Sequence, residues 1–338
     1  MPLNRTISPA PYSYTGMNAY QTAILFLLLL LLHLTVMGIM RDFTGIGLIF
    51  CTATAAVASS VLINYRQGKI VFDIHALVAG LLMGFFLPAN GGFVFSFFIA
   101  FMSYFLSWGI FGGRGSSWIN PVMLAACIAA VCKPGCFVQP VGIEQIRAAG
   151  SVFAALEASD VVRVSADQHL TSMLNSILHG IGVTLPEGYI SLFLSYPSTI
   201  PAFRYNMLTL FSSIVLLSSR SIQKMLPFSF LAVYGILVYF FPFTVRASAF
   251  GRGDILSALL TSGSLFTAFF VIHDSGSTPR SQIGRLVSGI LTGTFAFCIT
   301  GSGASPVGIP FAVLLSDCIN PLIGWFEEAF YKRRRTAL

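Results

Sequence analysis

Charge is what this chain has least of. Twelve acidic and nineteen basic side chains in 338 residues leave a charged fraction of 9%, where a soluble domain carries about 25%. Hydrophobic residues reach 55% and the mean hydropathy is +0.81. A water-soluble globular fold is excluded, and an all-α polytopic membrane protein is expected. The net charge of +7 does not mark a nucleic-acid binder, because the cations sit in short loops between apolar runs. No Walker loop, zinc motif or hydrolase triad occurs, so no self-contained catalytic site is seen. Cysteine is sparse too. Cys51, Cys127, Cys298 and Cys318 fall in apolar spans, where a thiol packs as a small hydrophobe. Cys132 and Cys136 are placed to pair in an oxidising compartment, and an iron–sulfur reading of Cys127, Cys132 and Cys136 needs a fourth ligand.

What is present is a series of ten apolar spans: 19–40, 43–64, 72–88, 92–111, 119–133, 204–219, 225–241, 252–272, 284–300 and 305–325. Several fall short of the roughly 20 residues that a straight crossing helix needs, the fifth and sixth above all. Ten spans put both termini on one side. The basic run Lys332-Arg333-Arg334-Arg335 assigns that side to the cytoplasm, giving a multi-pass inner-membrane protein with N and C termini inside. Under that choice the inner segments hold twelve cations and the short outer loops hold only Arg41, Arg246 and Arg252. The remaining four belong to the long 134–203 loop and its ends.

Five spans, a long loop and five more spans make an odd number per half, so a duplication here must be inverted. The third and eighth spans carry the signal. Residues 73–88 open on Asp73-Ile74, reach Phe85-Phe86 and stop at Pro88. Residues 254–274 open on Asp254-Ile255, reach Phe269-Phe270 and run into a Gly/Ser/Pro loop. The fifth and tenth match more loosely, Ile119-Asn-Pro121 beside Ile309-Pro310, each after a Gly/Ser loop. Paired, interrupted spans of this kind point to a midplane site between repeats. The expected organisation is a first membrane repeat over 1–133, an outer loop over 134–203, a second repeat over 204–325 and a basic cytoplasmic tail over 326–338. Within the loop, spacing predicts a surface helix over 141–157 and irregular chain over 180–203.

Three segments resemble one family. Leu265–Asp274 followed by Thr278-Pro279 and Gly284-Arg285 looks like its "GAFF-x-x-TDP…TP-x-GR" stretch. Gly303–Gly308 with Phe311–Leu315 looks like "GGYPEGVAFAVLL", and Gly112–Gly115 with Ile119–Met123 looks like "GGLGxNPFNPAM". The family is the D subunit of the Rnf ion-translocating electron-transport complex, together with the B subunit of the sodium-pumping NADH:quinone reductase. The resemblance implies ten helices in two inverted five-helix repeats, some broken, similar in fold to urea transporters. It implies partner subunits of an Rnf-type complex, electrons from NADH or ferredoxin partners, and Na+ or H+ as the coupled ion. It also implies flavins: an FMN esterified to a threonine of the long loop, and a non-covalent riboflavin in the bundle.

The departures bear on the cofactor. Where the attachment threonine is expected, this chain has Gln168, which offers no hydroxyl for a phosphoester. Thr171 lies three residues on without the upstream acidic pattern and is only a fallback. The expectation is therefore riboflavin or FMN held without a covalent bond.

For that site the candidates are Asn120 and Asp274, the two half-helix ends that frame the riboflavin in the family, with Ser117 beside Asn120 as a further donor and acceptor for one edge of the ring; Asp274 has Arg280 and Arg285 as alternative partners. Asp317, the acid farthest from a span end, with Asn320 as a candidate hydrogen-bond partner, is the ion-pathway candidate. Asp73 and Asp254 read as caps or anchors, and His33 and His273 as packing residues. Two other readings stand beside the electron-transport subunit: a small-solute channel of urea-transporter-like fold, and a structural subunit that has lost its flavin.

Overall fold

The computed structural model describes residues 17–66, 73–112, 117–137, 167–181, 188–241, 254–273, 276–279, 281–301 and 305–336. Among these every regular element is helical, and the chain is an all-α membrane protein. Five helices among the described residues are long and apolar enough to cross a bilayer. They are α1 (Ala19–Ile39), α2 (Phe43–Arg66), α4 (Phe93–Tyr104) with its π-helical extension Phe105–Ile110, α12 (Gln282–Thr300) and α13 (Gly308–Thr336). Four shorter apolar helices accompany them: α3 (Ile74–Phe86), α5 (Pro121–Cys132), α8 (Asn206–Ser218) and α9 (Met225–Phe240). The eighth span is divided into α10 (Ile255–Thr261), α11 (Ser264–Phe266) and a π turn, Thr267–Val271. At 1.5 Å per residue, the 12 residues of α5 reach about 18 Å, well under the roughly 30 Å of hydrocarbon.

Three packing pairs recur in the two sets of spans. α1 packs on α3 as α8 packs on α11; α2 packs on α4 as α9 packs on α12; α4 meets α5 as α12 meets α13. Small residues set the closest contacts. A Cβ added to Gly80 would run into Ala53 and Ala56, and one added to Gly84 would run into Ile49 and Thr52, so α3 lies directly on the backbone of α2.

Both third-type spans start alike. The Asp73 side chain accepts the His75 N–H at 3.0 Å and the Asp254 side chain accepts the Ser257 N–H at 3.0 Å, each capping its helix. Both aspartates are buried rather than interfacial, and Asp254 also accepts the Tyr189 hydroxyl. Inside the spans the likeness ends. α3 runs unbroken because its glycines serve packing, whereas the eighth span breaks at Gly263, whose φ is +73°. A side chain there would also collide with the Phe203 ring, which sits against the break.

The aromatic ends of the two spans then meet. Phe266 stacks on Phe270 at 4.6 Å and lies 5.5 Å from Phe85 and 5.7 Å from Phe86. His33 of α1 stands edge-on to Phe85, Phe266 and Phe270, with Nδ1 bonded to the Leu29 carbonyl at 2.9 Å.

The long loop departs from expectation. The helix expected over 141–157 lies outside the described residues. Asp167–Leu178 forms a helix, α6, and the chain expected to be irregular contains α7 (Tyr189–Leu194) and a 3-10 turn, Pro201–Phe203. Burial explains the order: Tyr189, Leu192, Tyr196, Ile200 and Phe203 all enter the core. Polar contacts fix the segment. Asn206 donates to the carbonyls of Leu192 at 3.1 Å and Leu260 at 2.9 Å, the Ala89 N–H donates to Thr199 at 3.0 Å, and Arg204 pairs with Asp42. The last helix is longer than the span expected to end at 325. α13 passes Pro321 and continues to Thr336, because charges end the apolar run but nothing there breaks the helix.

Candidate functional site

Asn120 joins three spans through hydrogen bonds. The Asn-Pro pair starts α5 in the way such pairs favour: the Asn120 side chain caps and Pro121 takes the first helical position. Oδ1 accepts the Val122 N–H at 2.9 Å, and Nδ2 donates to the Val271 carbonyl at 2.9 Å. The Asn120 N–H donates to Oδ2 of Asp317 at 3.0 Å. One residue thus ties the start of a half-length helix to the end of the broken span and to the middle of α13. The π turn makes the second bond available. Its terminal carbonyls have no further helix to accept from, and a short polar side chain meets them. Asp317 faces the N-terminal end of α5, where partial positive charge favours a carboxylate.

A cavity of about 340 Å³ opens between α1, α3, α5 and the π turn. Its walls include Phe26, Val78, Trp108, Asn120, Phe270 and His273. The size falls within the 300–1,000 Å³ common for small-molecule sites, and mostly apolar walls with a few polar groups suit a planar heteroaromatic ring. A second cavity of about 200 Å³ adjoins it, sharing Ser221 and His273 and adding Gln223, Thr278 and Arg285. The His273 ring bonds to the Ala268 carbonyl, and its Nε2 is buried without a partner among the described residues.

The expected site residues divide as follows. Asn120 lines the larger cavity. Ser117 is buried and packs against Gly276, and it is not one of the lining residues. Asp274 lies outside the described residues, while Val271 and His273 before it line the cavity. Asp317 is buried and joined to Asn120; Asn320, one helical turn on, gives Nδ2 to the Ser277 carbonyl at 2.8 Å. Thr171 belongs to another place, buried in α6 with its hydroxyl donated to Asp167 at 3.1 Å. Gln168 is exposed on the same helix. All six cysteines are free thiols, and among the described residues no three His, Cys, Asp or Glu side chains converge to hold a metal ion. His273, Trp108 and Phe26 are additions that sequence reasoning missed; a single histidine at a span end carries no signal beyond packing.

The fold and this site define a multi-pass membrane protein with a ligand-sized cavity at the end of a broken helix. The chain belongs to the NQR2, RnfD, RnfE family, whose sequence profile matches residues 6–331. Among curated relatives, the D subunit of the ion-translocating oxidoreductase complex of Salmonella paratyphi B is 24% identical over 95% of this chain and 96% of its own length. Proteins of the same description from Salmonella typhi and Salmonella typhimurium match at the same identity and coverage.

Proposed function

We propose that this chain is the membrane subunit of an Rnf-type complex. It holds a non-covalent flavin, riboflavin or FMN, at the Asn120 cavity and works with partner subunits that pass electrons from NADH or ferredoxin while Na+ or H+ crosses the membrane. The observation that carries the reading is the cavity itself, with apolar walls, one edge set by Asn120 and an orphaned imidazole nitrogen at its border. A bound flavin supplies the redox chemistry; the chain orients the ring and screens it from water. Asn120 fixes the polar edge, Phe26 and Phe270 flank the apolar body, and Asp317 offers a buried carboxylate one bond away for a proton or cation. In this reading the molecule lies in the inner membrane with both termini in the cytoplasm.

Purification from membranes tests it. The denatured band is expected to show no flavin fluorescence, since Gln168 has no hydroxyl and the Thr171 hydroxyl is committed to Asp167. Acid extraction is expected to release riboflavin or FMN at about one per chain. Extracts free of both would end the flavin reading.

A further inference from the structure

We infer that His273 is a ligand-binding residue that accepts a hydrogen bond from an N–H group of the cavity's occupant, and so selects a ring bearing an imide N–H over a quinone. The inference rests on the flavin reading and specifies which edge of the flavin the chain recognises.

The tautomer carries the argument. A carbonyl only accepts, so the ring nitrogen bonded to Ala268 carries the hydrogen. Nε2 is the ring nitrogen without a partner, so the bonded one is Nδ1. In the neutral ring Nε2 is then a bare acceptor. It stands in the wall shared by the two cavities and finds no donor among the described residues. Leaving a buried polar atom unpaired is costly, and such atoms in native proteins call for an explanation. An occupant that supplies a donor at this wall satisfies the atom.

That requirement sorts the candidates by chemistry. A quinone presents only carbonyl oxygens and adds a second acceptor to the first. The pyrimidine edge of an isoalloxazine presents N3–H between two carbonyls, a donor for His273 with acceptors beside it.

The test uses the full-length chain purified in lipid nanodiscs and depleted of flavin, titrated with riboflavin and with 3-methylriboflavin by fluorescence quenching. The wild type is expected to bind riboflavin about tenfold more tightly than the methylated analogue, the equivalent of one buried hydrogen bond. His273→Leu is expected to weaken riboflavin about tenfold, leave the analogue unchanged and so remove the preference. His273→Gln, which keeps an acceptor, is expected to restore it. Equal binding of the two flavins by the wild type overturns the inference while leaving the flavin site standing, and needs no variant to fold. An unchanged preference in His273→Leu does the same. A wild type that binds neither flavin removes the flavin reading and this inference together.

Discussion

The backbone N–H of Asn120 is bonded to the carboxylate of Asp317 across 197 residues of sequence, at 3.0 Å and out of reach of water. The bond joins the fifth span to the tenth, and the Asn120 side chain extends the tie to Val271 of the eighth. A buried acid beside a candidate ligand cavity thus has a structural duty as well as a proposed part in ion movement. Substitution separates the two.

Asp317→Ala leaves a buried N–H without this acceptor and is expected to cost about 1–3 kcal/mol, read as a lower unfolding temperature in detergent. Asp317→Asn keeps an oxygen that accepts and is expected to remain close to the wild type in stability. If the acid also carries the coupled ion, the Asn variant assembles normally yet loses ion transport in vesicles. Equal destabilisation by both variants would contradict the hydrogen-bond account.

Gly263 holds φ +73° with the Phe203 ring against it. Gly263→Ala therefore meets a conformational cost of about 1–2 kcal/mol and a steric one besides. Adding Phe203→Ala is expected to relieve the steric part, so the double variant is more stable than the two single losses summed. Simple additivity in a thermal-unfolding cycle would show that the ring does not press on the break.

Arg204 links the loop segment to the turn between α1 and α2. Its Nε donates to the Ser198 carbonyl at 2.7 Å and its Nη1 pairs with Asp42, both side chains being largely covered, at 19% and 15% exposure. Arg204→Lys loses the two-pronged geometry and is expected to behave more like Arg204→Gln than like the wild type. Limited proteolysis checks this: both variants should be cleaved faster within 189–203.

Cys132 ends α5 exposed, on the face where the long loop emerges. The proposed orientation puts this thiol outside. A membrane-impermeant maleimide is expected to label Cys132 in intact cells, while a C-terminal tag stays protected from added protease. Labelling only after the cells are opened would reverse the assignment.

The apolar segments were legible because hydropathy reports the solvent directly, and the paired Asp-Ile starts because capping is local chemistry. Asn120 was found through the family resemblance, which puts it at the start of a half-length helix; its Asn-Pro start is the local chemistry that the structure then shows at that place. The rest was hidden by distance along the chain. Nothing local in Phe203 says that it will press on Gly263, and nothing in Asp317 names Asn120 as its partner. The loop was read as irregular because its glycines and prolines are visible, whereas the burial that orders α7 exists only once the bundle is there to receive it. Ser117 was placed at the cavity for its hydroxyl, a donor and acceptor near Asn120, but it packs against Gly276 and does not line the cavity.

Phe203 lies ahead of Gly263 in the reading direction of the message. During synthesis Phe203 leaves the ribosome before the helix it lies against. The bend thus joins a backbone freedom that Gly263 supplies from within the span to a ring that the preceding segment sets beside it, so a stretch between the two sets of spans takes part in shaping the helix that follows.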